Sequence, residues 1–108
     1  MSDAPVLDAL TGMIAASVEQ NSLSPREYML ARLAALIAVD APPLSYFLNA
    51  EAIEESGLTQ QEIQGVMIAV APVVGAPRVV SAGGHILRAL GIAVAVAETE
   101  LDDEEGPL

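Results

Sequence analysis

The sequence predicts an all-α fold of about five helices with short loops, and three observations carry that expectation. Apolar residues recur at three- and four-residue spacing in five successive stretches. Capping residues, first-turn prolines and terminal glycines fall between those stretches, where helix ends require them. No stretch alternates apolar and polar residues at the two-residue period of a strand.

Taken in order, Pro5 to Gln20 places Val6, Leu10, Met13, Ile14 and Val18 on one stripe of an amphipathic helix that ends at Asn21 and Ser22. Ser24–Glu27, SPRE, then reads as N-cap, first-turn proline and capping-box glutamate, opening a second helix through about Val39. Tyr28, Leu30, Leu33, Ala34, Leu36 and Ile37 leave that helix apolar nearly all round, as suits a buried central helix. After Pro42 and Pro43, Leu44 to Ser56 sets Leu44, Phe47, Leu48, Ala52 and Ile53 against Asn49, Glu51, Glu54 and Glu55, a third helix with one wet face closed by Gly57.

The stretch from Gly57 to Leu90 is the most legible part of the chain. Thr59 and Glu62 form a second capping-box pattern, so a fourth helix starts near Gln60 with Ile63, Val66, Met67, Val70 and Val74 on its apolar face. Pro72 with Gly75 marks its end, and Pro77 opens a fifth helix that runs to about Glu98. Val79, Ala82, Ile86, Leu90 and Ala93 line one face of that helix, while Arg78, Ser81, His85 and Arg88 form the opposite stripe. Gly83 and Gly84 each weaken helix propensity by about 1 kcal/mol relative to alanine, which a close helix–helix crossing would offset. From Glu98 the acidic run TELDDEEGPL has little to bury, so residues 1–97 read as one helical domain and 98–108 as a disordered solvating tail.

Composition excludes several chemistries. The chain has no cysteine and no lysine, so it has no thiol nucleophile, disulfide, thiolate metal site or side-chain Schiff base. A net charge of −11 repels phosphate backbones and anionic membrane surfaces, so nucleic acid is not an expected partner. One histidine without a ligand at helical spacing argues against a transition-metal site, and no cofactor is expected. The 53% apolar share, about 60% with the 8 glycines, exceeds the typical 45–50% for a globular domain. In the central stretch the longest charge-free run, Ile63 to Pro77, is 15 residues and holds two prolines and two glycines, too short and broken to span a bilayer. The acidic start MSDAP lacks a basic leader region. The apolar surplus therefore reads as subunit interface on the fourth and fifth helices of a cytoplasmic homo-oligomer, with no membrane partner.

The order of signals, SPREYMLARLAALIA, then a helix ending in GLTQQEI, then an apolar helix and VGAPRVVSA, resembles the carboxymuconolactone decarboxylase family, which includes the AhpD-like alkylhydroperoxidases, over about Leu23 to Val96. The resemblance implies a small helical bundle assembled as a trimer or hexamer. The peroxidase branch uses a CxxC pair at a helix start, a histidine four residues later and a glutamate on the preceding helix. Glu27 matches that glutamate in its SPRE context. Counted forward from Glu27, the cysteines would fall on Val39 and Pro42 and the histidine on Tyr46; counted back from the GLT turn, the histidine would fall on Asn49. Thiol peroxidase chemistry is excluded by either count. The decarboxylase branch needs no cysteine, and the resemblance implies a cofactor-free lyase acting on a small organic acid or lactone, through an acid–base group and a holder for the developing enolate.

Each candidate residue has two readings. Glu27 is either the capping-box partner of Ser24, worth about 1 kcal/mol of stability, or a partly buried carboxylate of raised pKa that moves a proton. His85 and Arg78 belong to a stripe that suits a solvated or interface face, or else a catalytic histidine beside a substrate-binding arginine; His85 replaces the family histidine only if the fold brings it near Glu27. Tyr46 and Asn49 are by pattern a core-edge aromatic and a surface polar residue, and by position candidates for substrate contact. The competing class of function is a non-catalytic family member that binds a small ligand or serves as an assembly subunit. An enzyme should gather these groups around one cleft, whereas an assembly subunit should disperse them.

Overall fold

The computed structural model of the chain describes residues 3–105, apart from the side chains at 93, 94 and 100–105. Five helices follow one another: α1 (Pro5–Gln20), α2 (Pro25–Ala38), α3 (Pro43–Glu55), α4 (Gln60–Val74) and α5 (Ala76–Glu105). No strand occurs among the described residues, as the periodicity predicts.

Both capping boxes form. The Ser24 hydroxyl accepts from the Glu27 N–H at 3.1 Å while Glu27 accepts from the Ser24 N–H at 3.0 Å, and Thr59 with Glu62 repeats the arrangement at 3.1 and 3.0 Å. These boxes satisfy donors that would otherwise be orphaned at the starts of α2 and α4. Arg26, in the first turn of α2, forms an ion pair with Glu62 in the first turn of α4 and so ties the two starts together. Gly57 and Gly75 take φ of 80° and 91°, the left-handed region that a glycine enters without steric cost. Two helix ends differ from expectation. Pro72 lies inside α4 rather than ending it; it sits on the exposed face, one turn after the exposed Ile68 whose carbonyl it leaves unbonded, and Gly75 is the stop. α5 continues through Glu105 instead of ending at Glu98, because alanine, glutamate and leucine favour helix even where nothing needs burial; residues 106–108 of the expected tail lie outside the described residues.

α2 is the central helix, packed against α3, α4 and α5. Met29, Leu33 and Ile37 form its buried row, of which Leu33 and Ile37 cluster with Ala41, Tyr46 and Val66, and with Ala82 and Ala89 supplied by α5. Gly83 faces the tip of Met67 on α4, where an added Cβ would lie 3.6 Å from Met67 Cε, an ordinary contact, so the α4–α5 crossing does not require the glycine that the expectation of a close approach assigned to it. Gly84 has nothing within 4 Å of such a Cβ and faces outward.

α1 packs against none of the other helices and buries no residue. Its tie to the rest is polar: the Ser17 and Tyr28 hydroxyls share a hydrogen bond at 3.1 Å, and Arg32 Nη1 donates to the Tyr28 hydroxyl at 2.6 Å. α5 also corrects the membrane reading, which rested on Ile63 to Pro77 alone. Ala76–Thr99, with mean hydropathy 1.7, is long and apolar enough to cross a membrane by length and composition. In this fold Ala82 and Ala89 of that segment belong to the bundle core, and Arg78, His85 and Arg88 lie along it.

Two stability predictions follow from this packing. Ile37 is fully buried, so Ile37→Ala should cost about 2–5 kcal/mol in denaturant unfolding. Glu27 is fully exposed, and its pKa lies below the ordinary 4.5 because the Ser24 backbone N–H, then the Ser24 hydroxyl, bond its charged form. A depressed carboxylate adds stability that is complete above the unfolded value and is lost as pH falls through the folded one. Glu27→Gln keeps a capping side chain without the titration, so the wild-type advantage in thermal midpoint should be full above pH 4.5 and close below it.

Candidate acid–base site at the end of α2

The end of α2 carries a Schellman turn. The Ala41 N–H bonds the Leu36 carbonyl at 3.0 Å and the Asp40 N–H bonds the Ile37 carbonyl at 3.2 Å, which places Asp40 in the left-handed region at φ 54°. Glycine is the usual residue there, and an L-residue costs about 1–2 kcal/mol in that conformation. A carboxylate at this point also meets the negative end of the α2 dipole. Arg78 offsets part of that charge by donating from Nη1 to the Ala38 carbonyl, one of the last carbonyls of α2.

Across from the turn, Arg78, Ser81 and His85 share one face of α5 at three- and four-residue spacing. Ser81 Oγ donates to Asp40 Oδ1 at 2.7 Å. His85 Nδ1 lies 3.7 Å from the same oxygen, within ion-pair range of a protonated imidazole and beyond a hydrogen bond. The stripe expected to be a solvated or interface face is therefore turned toward the α2–α3 turn over these three residues, while Arg88 is exposed. Tyr46, expected at the core edge, is buried within the core itself. Burial, and after it the charge of Asp40, pushes the Tyr46 hydroxyl above its ordinary 10.0. Tyr46 Oη and His85 Nδ1 are buried without a hydrogen-bond partner among the described residues. Such orphaned atoms are uncommon inside folded chains and call for a physical reason.

Tyr46 also forms part of the wall of an apolar cavity of about 230 Å³, with Leu33, Ile53, Ile63, Ile86 and Leu90 around it. Asn49 is not part of that wall, and its Nδ2 donates to the Ser45 carbonyl of its own helix at 2.7 Å. Glu27 is not brought near His85. It lies in the first turn of α2, roughly 18 Å along the axis from the Asp40 end at about 1.5 Å per residue, and its carboxylate is engaged in the capping box. The raised pKa expected of an acid–base Glu27 is reversed, because it is exposed and accepts two hydrogen bonds. The residue sequence reasoning missed is Asp40, whose one signal was an acid standing where a helix usually ends in glycine. No group of three histidine or acidic side chains clusters as metal ligands among the described residues.

The Tyr46 environment is directly measurable. With Tyr28→Phe in place, tyrosinate absorbance should report Tyr46 alone and rise only above pH 10. Adding Asp40→Asn should move the midpoint down without reaching the ordinary value, since burial is the larger cause. A hydroxyl held above its unfolded value supports the fold below pH 10 and loses that contribution as pH rises through the folded value, so alkaline unfolding should set in above pH 10.

No curated protein and no solved structure matches the chain. The model of the carboxymuconolactone decarboxylase family matches residues 4–84, which takes in Glu27, Asp40, Tyr46, Asn49, Arg78 and Ser81 and stops one residue short of His85. With about three quarters of its length matched, and an all-α bundle of five helices without cysteine, the chain belongs to the carboxymuconolactone decarboxylase family.

Proposed function

We propose that the chain is a cofactor-free acid–base enzyme of its family, a decarboxylase or related lactone-processing enzyme whose proton is moved by His85. The observation that supports this reading is the pair of buried, unpartnered polar atoms, Tyr46 Oη and His85 Nδ1, set around the single carboxylate of Asp40. Asp40 Oδ1 faces His85 Nδ1 at 3.7 Å, within ion-pair range of the ring once it carries a second proton. The apolar cavity that Tyr46 lines, whose wall includes none of Asp40, Arg78 or His85, takes the apolar body of a small organic acid or lactone, with its polar end directed past Tyr46 toward that cluster.

As carbon dioxide leaves, the electron pair of the breaking carbon–carbon bond passes through the conjugated double bond into the lactone carbonyl as a dienolate. The Tyr46 hydroxyl donates to that oxygen, and the His85 imidazolium returns a proton to carbon and ends neutral. Arg78 has N–H groups beyond the one used on Ala38 and attracts the substrate carboxylate toward this end of α2. Glu27 keeps its capping role, so the acid–base assignment made from its position passes to the Asp40–His85 pair. The second reading, a ligand-binding or structural subunit without catalysis, draws its support from the large exposed apolar surface.

The test is turnover of γ-carboxymuconolactone by the purified protein, followed optically. His85→Ala should lower kcat by roughly 10²–10⁴-fold, and Glu27→Gln should leave kcat unchanged. Wild-type turnover that survives His85→Ala would remove the acid–base assignment, and a wild type inert toward this and other small carboxylated lactones would favour the non-catalytic reading.

A further inference from the structure

We propose that the gap between α1 and α2 is a binding site for a monocarboxylic acid with an apolar chain or ring, held by its carboxylate on Arg32. The proposal does not depend on the acid–base reading. α1 stands off from α2 rather than packing on it, and the 3.1 Å hydrogen bond between the Ser17 and Tyr28 hydroxyls is the strut between them. The gap holds about 520 Å³, within the range of roughly 300–1,000 Å³ usual for small-molecule sites. Met13, Ile14, Leu23 and Ala31 give it apolar walls, and the first three are roughly half to two thirds exposed. An occupant that covers them gains the apolar burial that α1 lacks within its own chain.

The charge of the occupant follows from Arg32. The chain has 15 acids against 4 arginines, yet no acidic side chain lines the gap and none of the described residues brings a carboxylate within ion-pair distance of Arg32. Arg32 is part-buried and held in place: Nη1 donates to the Tyr28 hydroxyl at 2.6 Å, and the guanidinium carbon lies 5.7 Å from the centre of the Tyr28 ring. Its other N–H groups have no partner among the described residues, and a guanidinium fork matches a carboxylate with two parallel hydrogen bonds. Asn21, also in the wall, is engaged with the Ser17 and Val18 carbonyls of its own helix end, so Arg32 sets the preference. One guanidinium balances one negative charge, and the net −11 of the chain opposes a dianion such as a phosphate monoester.

Sodium octanoate, 1-octanol and octyltrimethylammonium carry the same tail with three different charges. Calorimetric titration of the full chain should show octanoate bound about tenfold or more tighter than either of the others. Arg32→Met should reduce octanoate to the affinity of octanol and leave octanol unchanged. The chain has no cysteine, so Ile14→Cys places one thiol in the gap and Leu87→Cys one on the exposed outer face of α5. Octanoate should slow alkylation of the Ile14→Cys thiol and leave the Leu87→Cys thiol unaffected. Equal affinities for the three probes, octanoate binding that survives Arg32→Met, or protection of the Leu87→Cys thiol alone would each overturn the proposal. So would an Ile14→Cys thiol already unreactive in the ligand-free chain, because a second copy would then fill the gap. Octyl phosphate bound more tightly than octanoate would overturn the assignment to a monocarboxylate. Should Arg32→Met fail to fold, protection of the Ile14→Cys thiol by octanoate and not by octyltrimethylammonium decides alone.

Discussion

The packing of this molecule depends on one row of side chains, Met29, Leu33 and Ile37, along the inner face of α2. A chain of 108 residues can close only one core, and the large side chains withdrawn most fully from solvent are Leu33 and Ile37. Each such burial is worth roughly 1.5–3 kcal/mol, and α3, α4 and α5 all reach this row. The polar devices at the ends of α2 then set how the chain enters and leaves it. The Ser24–Glu27 box and the Arg26–Glu62 pair fix the entry, and the turn at Asp40 fixes the exit.

That exit is where local preference and fold disagree. Glycine would satisfy the left-handed turn at no steric cost, and a neutral residue would not oppose the dipole of α2. Asp40 does neither, and its carboxylate is met by Ser81 and faced by His85 while Arg78 covers the Ala38 carbonyl two residues earlier. Local rules broken together at one residue, with buried unpartnered atoms on Tyr46 and His85 nearby, are what a site held for chemistry rather than stability would display. The strain is tolerable because the Leu33–Ile37 row just before it is anchored on three sides.

Helix existence was legible in the sequence because caps are local. Ser24 with Glu27 and Thr59 with Glu62 act over three residues, so their patterns translate into geometry without tertiary help. Helix ends were less legible where exposure decides them, as at Pro72, which α4 absorbs on its wet face. The site was legible only in part. Arg78, Ser81 and His85 form a stripe readable from spacing, but what the stripe faces depends on a turn on the far side of the core. Glu27 stands out through its motif, and that motif forms as the sequence predicts. Asp40 was passed over because a lone acid after a helix is ordinary until its φ is known.

α5 explains why bulk hydropathy is a poor guide to this chain. Three faces of one helix face three different surroundings. Ala82, Ile86 and Ala89 pack into the core with small and medium side chains. Arg78, Ser81 and His85 look onto the α2 turn. Val80, Gly84, Leu87 and Gly91 look outward and are exposed. A helix with apolar residues on two of its three faces has the average hydropathy of a membrane span, although only one of those faces packs on the bundle. The polar third face is engaged within the chain, where Ser81 bonds Asp40, His85 faces the same carboxylate and Arg78 bonds the Ala38 carbonyl, and polar groups so partnered are compatible with either surrounding.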